Sequence, residues 1–319
     1  MHPVLIAASA VLASAALVPS TVPAAHQAPA PVTRQASSAL GVTAARSAST
    51  AAEESLPTEV RVASFNVLGA SHTRHSRKYR SGSRRMHGVV RLLERNAVGV
   101  VGLQELQASQ LERFLALTGG RYAVYPGLSL RQIDSENSIA WDTSVWEPVE
   151  EHTVPIPYFN GRLRPMPVVL LRNKLTDMTA WVANVHTPAT NRHHRGQDGW
   201  RAQAIADMAA LATQLQATGI PVLLTGDFNE RADAFCPITG TAPMIAARGG
   251  TNVDGVCDPM HPWYVDWVFG SQGVSFTDYA EIRGRLDRRT SDHPMIVATA
   301  HVDPATFPQA VLPPLAATY

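Results

Sequence analysis

Six short segments of the chain place an acid, an amide or a histidine beside a run of apolar residues. In chain order these segments read SFNVLG, GLQE, NVHTP, GDFN, YVDWVF and SDHP. The end of a strand is where a rigid scaffold presents a side chain to a cleft lined by loops. One carboxylate at such a place is common. Six segments of this kind are hard to explain as solvated turns, and they predict one shared active site.

The side chains of these segments favour the binding of a hard divalent cation. Their carboxylate and amide oxygens belong to Asn66, Glu105, Asp227, Asn229, Asp266 and Asp292. Oxygen donors of this kind suit Mg²⁺, with Mn²⁺ or Ca²⁺ as alternatives, better than they suit zinc. The two histidines of the segments, His186 and His293, can exchange protons near neutral pH or contact a phosphate group.

A cation beside two histidines and an Asp-Asn pair suits the hydrolysis of a phosphate ester. The cation would offset charge on the phosphoryl oxygens and on the leaving group, while a carboxylate orients or deprotonates the attacking water. The sequence has no P-loop motif, so it is not a P-loop nucleotide enzyme. It also has no GxSxG elbow and no HExxH zinc motif.

Strands that alternate with helices would position these segments. Apolar runs predict strands at Val60–Phe65, Val98–Leu103, Ser138–Trp141, Val168–Leu171, Trp181–Val185, Val222–Leu224, Tyr264–Phe269 and Met295–Ala300. Amphipathic patterns predict one helix in residues 84–95 and another with its apolar face at Ile205–Leu215. Gly219 and Pro221 end the second helix. The body is therefore predicted to be a mixed α and β protein with two packed sheets.

In this order the six segments resemble the endonuclease/exonuclease/phosphatase superfamily, over about residues 59–302. The resemblance implies a deoxyribonuclease-I-like α/β (α+β) fold. In this four-layer sandwich, two mainly antiparallel sheets pack face to face and are flanked by helices. It also implies an enzyme that hydrolyses phosphodiesters or phosphomonoesters with Mg²⁺ or a similar ion.

The resemblance implies roles for the acids and amides of the six segments. Asn66 and Glu105 are similar to the family's metal-site residues, with Glu105 as the main ligand. Asp292 is similar to the acidic residue beside the metal. Asp227 resembles the residue that orients or activates the attacking water, with Asn229 as its partner.

The histidines take their implied roles from the same resemblance. His293 is similar to the general base or phosphate-contacting histidine, and Asp266 to the carboxylate that orients it. His186 resembles the second histidine, which steadies the phosphate or protonates the leaving oxygen. Glu136 is expected to orient His186. Members of the family differ in which group is the general base, so the resemblance does not tell which group is the base and which one contacts the phosphate.

A basic segment after Asn66 points to a polyanionic substrate. The formal net charge of the chain is +1, which excludes a histone-like polycation but allows a local basic groove. Residues 71–95 hold one acid, Glu94, and eight bases: Arg74, Arg77, Lys78, Arg80, Arg84, Arg85, Arg91 and Arg95. A basic cleft rim suits DNA or RNA. The alternative is that some of these arginines lie on the outer face of the helix that begins near Arg84.

Two further polar loops are candidates for substrate contact. The loop PIPYFNGRLRPMP, residues 155–167, could stack on a base and hold a phosphate, or form a hairpin packed on the core. His193 and His194 lie in a polar loop and are expected to be solvated, and His72 receives no role.

These observations predict a metal-dependent phosphoester hydrolase whose substrate is nucleic acid. A phosphodiesterase or phosphatase for lipid head groups or small esters, of the sphingomyelinase type, is the alternative. Such an enzyme would need an apolar membrane-facing projection, for which His261–Tyr264 and Tyr158-Phe159 are candidates. A non-catalytic binding protein on the same scaffold is a third interpretation.

The N-terminal residues have the features of an exported protein. Residues 1–24 hold a short apolar stretch and then small residues, which predicts a cleavable signal peptide, with an uncleaved anchor as the alternative. Residues 25–56 are rich in Ala, Pro, Ser and Thr and hold no aromatic residue, which predicts a disordered linker. The catalytic domain is predicted at 57–302 and a Pro-rich tail at 303–319.

The two cysteines, Cys236 and Cys257, are predicted to form a disulfide because the protein is expected outside the cell. Such a bridge could stabilise the fold by about 3 kcal/mol in the chain-entropy model. Two cysteines alone do not make a zinc site, because structural zinc sites have four N or S ligands. We expect a secreted monomer with no transmembrane span after removal of the signal peptide.

Overall fold

The computed structural model describes residues 57–131, 136–260 and 264–307. The predicted signal peptide and linker lie outside these residues, as do residues 132–135, residues 261–263 and the tail from residue 308. Secretion, the monomeric state and the domain boundaries therefore stay predictions. No helix in the described part of the chain is long and apolar enough to cross a membrane.

Within the described residues the chain forms fourteen strands and five α-helices. The strands are β1 (Thr58–Asn66), β2 (Val100–Gln104), β3 (Tyr122–Tyr125), β4 (Asn137–Asp142), β5 (Trp146–Pro157), β6 (Leu163–Asn173), β7 (Thr179–His186), β8 (Val222–Asp227), β9 (Ile245–Ala246), β10 (Thr251–Val253), β11 (Val256–Asp258), β12 (Asp266–Gly270), β13 (Val274–Ile282) and β14 (Met295–Val302). The helices are α1 (Gly82–Arg95), α2 (Ala108–Thr118), α3 (Asp198–Gln216), α4 (Ala232–Thr241) and α5 (Asp287–Thr290).

Twelve strands form two six-stranded sheets, and β10 pairs with β11 as a separate hairpin. The strand order is β13-β14-β1-β2-β4-β3 in the first sheet and β5-β6-β7-β8-β12-β9 in the second. Each sheet has one parallel pair at its centre, β1 with β2 and β7 with β8. The other neighbours are antiparallel, which confirms the prediction of two mainly antiparallel sheets.

Three hydrophobic clusters show how the layers stack. The cluster between the sheets includes Val62 of β1 and Leu171 of β6. Helices α1 and α2 cover the other face of the first sheet, where Leu93 is fully buried, and α3 and α4 cover the second sheet, where Met208 is buried. Full burial of one such side chain stabilises the fold by about 1.5–3 kcal/mol. The predicted four-layer sandwich is confirmed.

Gly102 lets the two sheets approach closely beneath the predicted site. A Cβ atom at residue 102 would lie 2.0 Å from Oγ1 of Thr225 and 2.4 Å from Oδ1 of Asn184. Nε2 of Gln104 donates to Oδ1 of Asn184 at 2.7 Å, and Nδ2 of Asn184 donates to the carbonyl oxygen of Leu103 at 3.1 Å. This buried polar network joins β2 of the first sheet to β7 and β8 of the second.

We expect Gly102→Ala to lower the free energy of unfolding by about 1–3 kcal/mol, because the added methyl group must push the sheets apart. Chemical denaturation measures the change. Gly199→Ala in α3 is the matched control, since a Cβ atom there meets nothing within 4 Å. Alanine should leave stability at that helical position unchanged or slightly higher. Equal stability of the two variants would contradict the close approach at Gly102.

Cys236 of α4 and Cys257 of β11 form a disulfide, with their Cα atoms 5.8 Å apart. The predicted pairing is confirmed. Nδ2 of Asn252 in β10 also donates to the carbonyl oxygen of Cys236 at 2.9 Å. The bridge and this hydrogen bond fasten the β10–β11 hairpin to α4.

Candidate active site

The predicted segments meet at one edge of the two sheets. The parallel strands β1 and β2 end at Asn66 and Gln104, and β7 and β8 end at His186 and Asp227. The antiparallel strands β12 and β14 begin at the same edge, so Asp266, the first residue of β12, pairs with Asp227. Because the sheets pack face to face, side chains from both sheets converge over this edge of the sandwich.

Glu105 directly follows β2 and has a left-handed backbone conformation with φ of +59°. Such a conformation costs a side-chain-bearing residue about 1–3 kcal/mol and is concentrated at functional sites. Its Oε2 accepts a hydrogen bond from the backbone N–H of Gly69 at 2.7 Å and lies 2.9 Å from Nδ1 of His72. Burial opposes ionisation, but the contacts with His72 and Gly69 outweigh it and lower the pKa of Glu105 well below its usual range.

Asn66 bridges two carboxylates. Its Nδ2 donates to Oε1 of Glu105 at 3.0 Å and to Oδ2 of Asp227 at 2.9 Å. Its Oδ1 accepts the backbone N–H of Leu68 at 3.0 Å. The sequence predicts Asn66 as a metal-site residue that adds a carbonyl oxygen. In the structure its amide nitrogen faces the carboxylates, so Asn66 draws Glu105 and Asp227 together.

Asp227 ends β8 and is 1% exposed. Its Oδ1 accepts the backbone N–H of Asn229 at 2.9 Å, and Nδ2 of Asn229 donates to the carbonyl oxygen of Thr187 at 2.9 Å. Its Oδ2 lies 3.5 Å from Nε2 of His186 and 3.8 Å from Nδ1 of His293. The structure therefore brings Asp227 together with Asn229 and with both predicted histidines.

His293 is held by Asp266. Its Nδ1 lies 3.0 and 2.9 Å from the two carboxylate oxygens of Asp266, which is almost completely buried. Burial opposes a positive charge on the imidazole, but the carboxylates of Asp266 and Asp227 outweigh it and raise the pKa of His293 well above its usual value. Asp266 therefore orients the ring, and Nε2 of His293 is left for a ligand in the cleft.

His186 is 6% exposed and contacts Tyr158. Nδ1 of His186 lies 3.5 Å from the hydroxyl oxygen of Tyr158, and the two rings pack edge to face with centroids 5.6 Å apart. The sequence predicts that Glu136 orients His186. Among the hydrogen bonds of the described residues, the partner of Nδ1 of His186 is the hydroxyl group of Tyr158 instead.

Glu136 fixes the neighbouring wall of the cleft. Its Oε2 accepts a hydrogen bond from Nη1 of Arg164 at 2.8 Å, and its Oε1 accepts one from Nε2 of Gln107 at 3.1 Å. The guanidinium of Arg164 lies over the ring of Tyr158, 4.1 Å from its centroid. The salt bridge of Glu136 therefore holds Arg164 against Tyr158, and Tyr158 in turn contacts His186.

The structure adds contacts for three further residues, and the predicted place of Asp292 beside the metal stays a prediction. His72 receives no role from the sequence, but it contacts Glu105 from the short turn Ala70–Thr73. His194 is expected to be solvated, but its ring is half-buried and stacks on Phe159 with centroids 3.9 Å apart. Asp292, predicted beside the metal, is exposed, and Oγ of Ser291 donates to its Oδ1 at 3.4 Å.

The donors of this site fit a divalent cation. Glu105 and Asp227 accept hydrogen bonds from the same nitrogen of Asn66, so their carboxylates converge. Asp227, Asp266 and His293 also offer ligand atoms within 4.8 Å of one another. Carboxylate oxygens are the donors that Mg²⁺ and Mn²⁺ prefer. Glu105 and Asp227 would hold the cation, while Asp266 and His293 stay paired with each other beside it.

The site opens into a cleft of about 580 Å³. Its walls come from the end of the β5–β6 hairpin, with Tyr158, Phe159 and Arg164, and from the loop after β7, with His193 and His194. The cleft thus combines acids, imidazoles, aromatic rings and a guanidinium around one space. This combination can bind a phosphate ester together with a flat ring.

Comparison with known proteins agrees with this geometry. The model of the Endonuclease/Exonuclease/phosphatase family matches residues 63–293, which is more than half of the chain. The comparison with curated protein sequences gives no match.

Several solved structures share the fold at low sequence identity. A family protein of Bacteroides thetaiotaomicron is 15% identical, with a TM-score of 0.63 over 79% of this chain and 98% of that one. The mannosyl-6-phosphatase of B. thetaiotaomicron VPI-5482 is 16% identical, with a TM-score of 0.59 over 76% and 99% of the chains. The TDP2 protein of D. rerio, complexed with a single-strand DNA product, is 17% identical, with a TM-score of 0.56 over 76% and 99%.

Proposed function

The chain belongs to the endonuclease/exonuclease/phosphatase family of phosphoester hydrolases, and from this premise we propose that it is a phosphodiesterase that acts on nucleic acid. The observation that carries the proposal is a run of exposed cationic side chains next to the site. The relatives known from structures include a mannosyl-6-phosphatase and a protein bound to a DNA product, so family membership leaves the substrate open.

We assign the reaction to side chains of the described site. When bound, the divalent cation offsets negative charge on the phosphoryl oxygens and the leaving oxygen. Asp227, with Asn229 behind it, orients the water whose oxygen bonds to phosphorus as the ester bond breaks. The proton released by water passes to Asp227, and the leaving oxygen takes a proton from a histidine of the cleft. Asp266 and Tyr158 fix the directions of the two imidazole rings.

The basic segment lies beside this site. Seven of its eight cationic side chains are exposed, and those of Arg77, Lys78, Arg80 and Arg84 line a second cavity of about 580 Å³. The hydroxyl of Tyr79 in the same loop donates to the carbonyl oxygen of Ser291 at 3.5 Å, next to Asp292 and His293. Exposed cations next to a phosphoesterase cleft favour a polyanionic substrate over the phosphate ester of a small neutral alcohol.

Arg85 is the exception in the basic segment. It is 3% exposed, and its guanidinium donates to the carbonyl oxygens of Val67, Leu68 and Thr290. Arg85 therefore holds the backbone after β1 in place and is not offered to a substrate. Arg85 thus fits neither interpretation of the segment, because it is buried rather than exposed at the cleft or on the outer face of the helix.

The aromatic wall of the cleft supports the same substrate. Tyr158 packs edge to face on Phe159, and Phe159 stacks on His194. Flat rings at a cleft wall accept a nucleic-acid base, whose stacking contributes about 1–3 kcal/mol per base. The residues PIPYFNGRLRPMP form the end of the β5–β6 hairpin, which is the second of the two interpretations of this segment, and the hairpin still presents its rings to the cleft.

The test is a variant in which Arg74, Arg77, Lys78 and Arg80 are all replaced by Ser. We expect KM for plasmid DNA or RNA to rise. The slope of log K against log salt concentration should become shallower by about 0.9 for each duplex phosphate that the variant no longer binds. Hydrolysis of a small chromogenic phosphodiester should stay nearly unchanged, because the metal site and the histidines are intact. If plasmid and RNA survive Mg²⁺ and the enzyme while sphingomyelin or a small ester is cleaved, the nucleic-acid proposal is wrong and the family assignment stands.

A further inference from the structure

Two arginine-lined cavities lie side by side along α1, outside the cleft. Their volumes are about 580 and 650 Å³, and both are lined by Arg91, Leu286 and Arg289. One wall comes from α1 and the loop before it, and the other from residues 282–290, a separate part of the chain. The basic residues of this second wall do not belong to the basic segment that the sequence points to.

We propose that this α1 groove is a second phosphate-binding surface, which holds the backbone of a long nucleic acid beyond the scissile bond. The inference rests on the proposed function and extends it, since it names polynucleotides rather than mononucleotide esters as the substrate. The exposed cationic residues that line the groove are Arg77, Lys78, Arg80, Arg84, Arg91, Arg95, Arg283, Arg285 and Arg289.

The groove concentrates positive charge without matching negative charge. Among the described residues, eight of its nine cationic side chains form no ion pair with a carboxylate, and the ninth, Arg283, pairs with Glu281 at 2.9 Å. Asp287, in the same wall, is 4% exposed, and its Oδ1 accepts the backbone N–H of Met295. A concave surface of one sign attracts a polyanion and raises its local concentration. Arginine also binds phosphate through two parallel hydrogen bonds.

The groove is rigidly joined to the active site. The buried guanidinium of Arg85 donates to the carbonyl oxygen of Thr290, at the end of the second wall, at 2.8 Å, and to that of Val67, after β1, at 2.6 Å. Oγ of Ser291 donates to the carbonyl oxygen of Asn66 at 2.6 Å. Since Asn66 positions the catalytic carboxylates, a backbone bound in the groove has a fixed position relative to the scissile phosphate.

The dimensions and composition of the groove favour nucleic acid over a membrane. Helix α1 has 14 residues and is therefore about 20 Å long, which spans about six phosphates of one strand. The large apolar side chains that are exposed in the described residues lie outside α1 and outside residues 282–290. A surface that docks on lipid inserts apolar side chains among the head groups. This groove has guanidinium groups at the positions where such side chains would be needed.

The test is the double variant Arg91→Gln and Arg289→Gln, which changes two residues shared by both cavities and leaves the catalytic site intact. In the presence of a chelator, binding of a duplex of about 30 base pairs is measured by fluorescence anisotropy. The slope of log K against log salt concentration should be shallower for the variant by about 2. KM for this duplex should rise in Mg²⁺, while turnover of a small chromogenic phosphodiester and of a dinucleotide stays unchanged. The full chain is used throughout.

The matched control is the double variant Arg172→Gln and Lys174→Gln, which makes the same change in net charge. Both residues are exposed and lie at the end of β6, opposite the active-site edge, because Arg172 pairs with Thr179 at the start of β7. An equally shallow slope in the control, or an unchanged slope in the groove variant, would overturn the proposal. So would a wild type that binds phosphatidylserine vesicles through these arginines and does not bind DNA. If the groove variant has the shallower slope but the wild type cleaves no nucleic acid, the groove stands and the proposed function fails.

Discussion

Removal of divalent cations with a chelator should abolish hydrolysis, and Glu105→Gln should lower turnover by about 10³-fold at a fixed concentration of Mg²⁺. The Glu105 carboxylate is ionised and is held in place by Asn66 and Gly69, so it is prepared to accept a cation. Glutamine keeps the shape of the side chain but loses its charge. A loss of about 4 kcal/mol of transition-state stabilisation corresponds to this factor in rate.

Two measurements separate the loss of the cation from damage to the fold. Isothermal titration calorimetry should show weaker Mg²⁺ binding to Glu105→Gln, and saturating Mg²⁺ should restore part of the turnover. Glu112→Gln, at an exposed position of α2, is the matched control and should bind and turn over as the wild type does. A chelated enzyme that keeps its rate would show that hydrolysis does not depend on the metal.

The central strands of both sheets could be predicted from the sequence because they are buried on both faces. All five residues of β2 and all six of β8 are buried, so each strand is a continuous apolar run in the sequence, apart from its last polar residues. Each run is followed directly by a polar motif. The same two signals therefore indicate the strand and the catalytic residue at its end.

The edge strand β5 and the helix α4 could not be predicted in this way. Strand β5 contains Pro148, Pro155 and Pro157, which normally argue against a strand. Proline is tolerated here because β5 lies at the edge of its sheet, where one side of the strand has no hydrogen-bonding neighbour among the described strands. Helix α4 includes Pro237 in its interior and is held by packing and by the disulfide of Cys236. Neither the packing nor the disulfide can be predicted from a local sequence pattern.

The residues of the site divide in the same way. Asp227, His186 and Asp266 begin or end strands, so a motif identifies them. The contacts that orient them come from distant segments, as with Tyr158 on His186 and Arg164 on Glu136. These partners belong to the β5–β6 hairpin, whose position is set by tertiary packing. A local sequence pattern therefore predicts which residues react and leaves their neighbours undetermined.

Asp227→Asn should lower turnover by about 10²–10⁴-fold, which is the usual contribution of general acid–base catalysis, while the fold persists. Oδ2 of Asp227 accepts a hydrogen bond from Asn66 and lies 3.5 Å from Nε2 of His186. In one orientation, the NH₂ group of the new asparagine would face the NH₂ group of Asn66. In the other, it would face the backbone N–H of Asn229, which would lose its acceptor. It would also remove the negative charge beside both histidines. Circular dichroism and thermal unfolding establish that the variant is folded.

Asp227→Glu tests whether the position of this carboxylate matters as well as its charge. The added methylene displaces the carboxylate by about 1 Å in a fully buried site, and a misplacement of that size can cost about 10²-fold in rate. Asp177→Asn is the control, because its side chain is 83% exposed and its φ of +59° is a conformation that asparagine tolerates. Full turnover in Asp227→Glu would mean that Asp227 acts through its charge alone. Full turnover in Asp227→Asn would transfer activation of the water to His293 and Asp266.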